Sequence, residues 1–149
     1  MRRPKLQVAF ISIALAIVLF SAGCTSSSSH QTADPLHLAP MTDMPAEVQA
    51  AAVSVQEAYR FAAANPQVLT HIPCYCGCGS IGHTSNYACY VSGKNEDGSL
   101  AFDEHALGCS ICVDIIQDSM RLLKEGKSTA DMRAYVDQTY SQYGLSNMP

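Results

Sequence analysis

Six cysteines and two histidines supply the chemistry in this sequence. Cys74, Cys76 and Cys78 stand at every second position of HIPCYCGCGSIGH, which His83 closes; Cys89 follows, and His105, Cys109 and Cys112 share HALGCSIC. Thiolate and imidazole are ligands of soft and borderline cations, Cu(I) and Zn(II) among them. Cys109 and Cys112 have the CxxC spacing common in zinc sites faced by a second pair. His105 and Cys109, at i and i+4, can share an ion on a helix, and the loop glycines let backbone wrap closely around one. One zinc needs only four of these eight donors. The excess fits a multinuclear Cu(I) cluster, or one zinc with two spare cysteines bonded to each other.

The same residues admit other chemistry. An even set of six cysteines in an exported protein permits three disulfides. A ring as short as one closed between neighbours in Cys-x-Cys-x-Cys is prone to strain, and the three thiols are expected to splay apart towards distant partners. Cys109 and Cys112 are also awkward partners for each other, so a disulfide solution staples loop to helix. A thiol–disulfide oxidoreductase at Cys109/Cys112 ranks third, because reactive CxxC cysteines owe their acidity to a helix N-terminus and the expected helix starts earlier. Val113 after Cys112 excludes a c-type haem motif. With neither a GxSxG elbow nor a Gly-rich phosphate loop after a strand, the patterns weigh against catalysis. His71 reads as a loop residue, and Met41, Met44 and Met148 as apolar filler before thioether ligands.

The elements that must position these donors are mainly helical. Val48, Ala51, Ala52, Val55, Tyr59 and Ala62 recur at helical spacing, predicting a helix over Pro45–Ala64 that Asn65-Pro66 stops. His71 to Ser85 has no period and reads as loop. Residues from Tyr87 through Asp97-Gly98 to Phe102 suggest a short hairpin. Asp103 to Glu125 is the strongest helix, capped by Asp103 and ended by Gly126. On it His105, Cys109 and Cys112 fall within a roughly 60° sector of the apolar face. Ser128 and Asp131 resemble a capping box that opens a last helix with Met132, Tyr135, Val136, Thr139 and Tyr143 inward. The expected fold is a mainly α, three-helix small domain with a Cys/Gly-rich loop.

PCYCGC at Pro73 to Cys78, GH-x-S at Gly82 to Ser85, Cys89, and HA-x-x-C-x-x-C at His105 to Cys112 together resemble the family of bacterial exported proteins and lipoproteins that carries the PCYCGC motif. The resemblance runs from about His71 to the last helix. It places all six cysteines on matching positions and implies no activity of its own, so the metal reading rests on the residues.

The N-terminus reads as an export signal: basic MRRPK, then an apolar run from Leu6 to Phe20, then small residues. That run is shorter than the ~20 residues of a stable span. Ser21, Ala22 and Gly23 before Cys24 resemble a bacterial lipobox, with Ser21 where leucine is commonest, which implies diacylation of Cys24. Two acyl chains give stable anchoring. The organisation expected is a lipoprotein signal peptide over 1–23, a flexible Ser/Thr/Pro-rich tether over 24–43 carrying His30 and His37, and a Cys-rich domain over 44–149 on the extracytoplasmic face of a bacterial membrane. Loss of Arg2, Arg3 and Lys5 with the signal leaves six Lys and Arg against thirteen Asp and Glu. This acidic balance excludes a nucleic-acid partner.

Overall fold

A computed structural model describes residues 36–149. The signal segment, Cys24, His30 and the tether through residue 35 lie outside the described residues. Residues 36–43, assigned to the tether by composition, are docked: Leu36, Leu38, Ala39 and Met41 pack against the core. Their backbone is held too. Ala39 exchanges hydrogen bonds with Arg60, whose carbonyl accepts from the Ala39 N–H at 3.0 Å and whose Nε donates to the Ala39 carbonyl at 2.7 Å.

The first expected helix is two. α1 (Ala46–Gln49) and α2 (Val53–Ala64) are separated by Ala52, whose ψ of 149° is extended. Gln56 compensates for the break, its Nε2 donating to the carbonyls of Gln49 and Ala51, so backbone acceptors left open there are satisfied. The break lets both Val48 and the Tyr59 face of α2 reach the core. Asn65 ends α2, and Pro66, which has no N–H to lose, begins the single turn α3 (Pro66–Leu69).

Beyond the cysteine loop, a turn at Tyr87–Cys89 leads into an antiparallel hairpin of β1 (Val91–Lys94) and β2 (Leu100–Phe102). Val91 pairs with Phe102 and Gly93 with Ala101, so Ser92 bulges. The hairpin brings Asp103 back beside Tyr90, whose carbonyl accepts the Asp103 N–H at 2.9 Å.

The strongest expected helix starts later than its pattern suggests. His105–Leu107 form a 3-10 turn, Gly108 interrupts it, and α4 runs over Ser110–Lys124 with Cys109 as its N-cap residue. Asp103 caps the short turn instead, taking the His105 N–H at 2.8 Å. α5 (Thr129–Tyr140) opens on the expected capping box, Ser128 and Asp131 bonded in both directions. Its inner stripe is Met132, Val136 and Tyr140, while Tyr143 lies past its end and is exposed.

Three long helices, α2, α4 and α5, thus make a mainly α domain, with α4 packed between the other two. Tyr59, Phe61, Leu69, Ile72, Tyr90, Ile115, Ile116 and Met132 are its largest buried apolar side chains. No helix among the described residues is long and apolar enough to cross a membrane.

After α5 the chain folds back over the cysteine loop. A Cβ on Gly144 would lie 2.7 Å from the Tyr75 carbonyl oxygen, nearer than unstrained atoms approach. Gly144→Ala is therefore expected to lift the tail and lower stability by about 1–3 kcal/mol, measured as the urea midpoint. A midpoint equal to wild type would show that the tail is not held against the loop.

Candidate metal centre

The cysteine loop is shaped by two left-handed glycines. Gly77 (φ +85°) and Gly82 (φ +94°) flank a 3-10 turn over Cys78–Ile81, a conformation open to glycine at no steric cost. The His83 N–H then bonds the Cys78 carbonyl at 3.2 Å, closing the turn. Asn147, from the C-terminal tail, pins the start of the loop. Its Oδ1 accepts the Cys74 N–H at 2.7 Å, its own N–H donates to the Cys74 carbonyl at 3.1 Å, and its Nδ2 lies 3.5 Å from Cys78 Sγ. Tyr75 donates its hydroxyl to Asp137 of α5 at 2.6 Å.

The three loop thiols do not splay apart. Residues two apart in an extended chain share a face, and Cys74 Sγ is 3.4 Å from Cys76 Sγ. Cys112 enters the same space from α4, 3.4 Å from Cys74 Sγ and 3.6 Å from Cys76 Sγ. Cys78 and Cys89 stand 3.5 Å apart, and His105 Nε2 is 3.3 Å from Cys76 Sγ. All six cysteines of the domain are free thiols. These separations exceed a disulfide bond of ~2.05 Å. They approach the ~3.8 Å between two sulfurs, and the ~3.5 Å between sulfur and nitrogen, around one tetrahedral zinc with bonds of ~2.3 and ~2.0 Å.

Donor atoms of Cys76, His105, Cys109 and Cys112 lie within 4.8 Å of one another, as do those of Cys78, His83, Cys89 and His105. Cys74 completes two thiol triads, one with Cys76 and Cys78 and one with Cys89 and Cys112. Cys74, Cys89 and Cys112 have no solvent exposure, whereas Cys76 and Cys109 are partly exposed.

Asp103 contacts both histidines. One carboxylate oxygen accepts the His105 backbone N–H, and the other lies 3.4 Å from the ring Nε2 of His83. His83 Nδ1, in contrast, is buried with no hydrogen-bond partner among the described residues. A histidine whose far nitrogen is held by a carboxylate presents the other as a ligand; this is how metal-bound histidines are supported. The two imidazoles meet edge to face, ring centres 5.2 Å apart. Tyr59 secures Asp103 from behind, donating its hydroxyl to the Asp103 carbonyl at 2.7 Å, and packs edge-on against Tyr90. The Tyr90 hydroxyl, also buried without a partner among the described residues, is kept protonated by burial and then by the neighbouring Cys112, Cys89 and Cys74.

The thiols share protons unequally. Cys74 is held well below the usual thiol range by hydrogen bonding with Cys112 and then Cys89, against the burial that opposes its charge. Cys112 is raised because its proton serves Cys74. Cys76 and Cys78 are raised by burial and then by the charge on Cys74. Ligation of thiols that keep their protons must release them.

A model of the family described as "Protein of unknown function with PCYCGC motif" matches residues 11–147. The chain belongs to this PCYCGC-motif family. No curated protein and no solved structure matches it.

The eight candidate ligands of this PCYCGC-motif sequence all fall in one region of the domain. Cys74, Cys76, Cys78, Cys89, Cys109, Cys112, His83 and His105 converge; His71 and His37 are exposed, and Met44 is in the core. What differs is the route. His105, Cys109 and Cys112 do not share a helix face, because Gly108 breaks the helix between them. The CxxC pair consequently sits at a helix N-terminus after all, Cys109 as N-cap and Cys112 in the first turn. Asp103, Tyr59 and Asn147 were missed; only the Asp103-x-His105 spacing carried a local signal, that of a side chain capping the N–H two residues on. Asp103→Ala should lower the urea stability of the metal-free protein by about 1–3 kcal/mol, since it strands the His105 N–H and His83 Nε2. An unchanged midpoint would mean that the carboxylate does not hold this corner.

Proposed function

We propose that this protein is an exported lipoprotein, anchored through diacylated Cys24 on the extracytoplasmic face of a bacterial membrane. Its domain binds a soft metal, copper or zinc, through the Cys/His cluster, for structure, buffering or transfer. The observation that carries the metal reading is the convergence of six free thiols on His83 and His105, with the buried His83 Nδ1 open and its Nε2 on Asp103. Thiolates select such ions over magnesium or calcium. The anchor reading is carried by the small residues that precede Cys24 at the end of an apolar run.

One observation favours a second reading. Cys109-x-x-Cys112 at the N-terminus of α4, with Cys109 partly exposed, has the placement of a thiol–disulfide exchange pair. The two readings part in mass and metal content. Protein matured in its native compartment and purified without chelator is expected to carry copper or zinc and to yield free thiols on chelation. Complete oxidation with no bound metal would sink the metal reading, and a Cys109/Cys112 pair titrating near the compartment's potential would establish the redox one. Cys24→Ser is expected to move the protein from the membrane fraction to the soluble fraction. Unchanged fractionation would remove the lipid anchor.

A further inference from the structure

The eight donors outnumber the ligands of one ion, and they form overlapping groups in which His105 also lies within 4.8 Å of Cys78, His83 and Cys89. Cys76, Cys109, Cys112 and His105 are mutually within 4.8 Å. Of the remainder, Cys78 and Cys89 are 3.5 Å apart, each lies within 4.8 Å of Cys74, and both lie within 4.8 Å of His83. We propose that the cluster is a binuclear zinc site made of two Cys3His half-sites, one of Cys76, Cys109, Cys112 and His105, the other of Cys74, Cys78, Cys89 and His83. The proposal rests on the metal reading above and extends it to ion number and ion type.

Three observations support the division. The half-sites draw most of their donors from different elements: Cys109 and Cys112 of the first stand at the start of α4, Cys78 and Cys89 of the second on the loop turn and the Tyr87–Cys89 turn. The loop supplies Cys76 to the first and Cys74 to the second, and they meet where Cys74 Sγ lies 3.4 Å from both Cys76 and Cys112. Each half-site also has its own opening. A cavity of about 330 Å³ reaches Cys109, and another of about 670 Å³ reaches His83 and Asp103. Each half-site contains one histidine, and Asp103 steadies both, by the Nε2 of His83 and the backbone of His105.

For two ions, charge favours zinc. Six thiolates around two Zn(II) leave a formal charge of −2, whereas two Cu(I) leave −4, and uncompensated charge in a buried site is costly. The positive end of α4, beside Cys109 and Cys112, offsets part of the smaller value. Cys3His is moreover a set in which zinc is closed and four-coordinate.

The test uses the full-length chain with Cys24→Ser, reduced, stripped of metal and titrated anaerobically with Zn(II). Native mass spectrometry is expected to show two ions at saturation. His83→Ala and Cys109→Ser are expected each to weaken one ion at least tenfold and leave the other within about threefold, with Co(II) spectra showing a thiolate-rich tetrahedral site preserved in each variant. That preserved site also shows that the variant has folded. Saturation at one ion overturns the binuclear proposal and leaves metal binding standing; weakening of the same ion by both variants does likewise. No bound ion overturns both.

Discussion

Asp103 is bonded through every polar group it has. Its N–H goes to Tyr90, its carbonyl accepts from Tyr59, one carboxylate oxygen accepts from the His105 backbone, and the other faces His83. This residue ties the hairpin, α2, the turn before α4 and the cysteine loop to one point. The partly desolvated carboxylate is tolerable because one oxygen accepts a backbone N–H and the other faces a histidine nitrogen. The place of the His105 backbone and of the His83 ring follows from that anchorage.

The second constraint is crowding. Sulfurs 3.4 to 3.6 Å apart are stable as neighbours only while most keep their protons or share a cation. Of these thiols Cys74 is the one pushed down, by its hydrogen bonding first with Cys112. The tail contributes from the other side: Asn147 bonds the Cys74 backbone in both directions and approaches Cys78 Sγ. Gly79 and Gly144 allow this, since side chains there would meet Asn147 and the Tyr75 carbonyl.

Periodicity made the mainly α class legible, together with the core face of α4 and the capping box at Ser128, because each is a local pattern read over one element. The donor set was legible for a different reason: cysteine and histidine have few competing roles at such density. Where the reading went astray, the deciding contacts are distant in sequence. The break at Ala50–Ala52 has no proline or glycine to mark it and is stabilised by Gln56 reaching back. The helix expected over Asp103 to Glu125 runs across Gly108, where the chain instead breaks, the His105–Leu107 turn being held from Asp103. Asn147 lies 73 residues from Cys74, a separation that no motif spans.

The core and the cluster overlap without depending on each other equally. Cys74, Cys78, Cys89 and Cys112 belong to the buried apolar set, yet its bulk comes from Tyr59, Phe61, Leu69, Ile72, Tyr90, Ile115 and Ile116. A protonated thiol packs as a small hydrophobe, so the metal-free domain loses no core when the ion leaves. Small zinc fingers differ, since their metal supplies the folding free energy outright. Here three long helices and a hairpin supply a core of their own, so the positions of the donors follow from packing that is independent of any ligand. Donors placed in this way lower the ordering cost of whatever they bind.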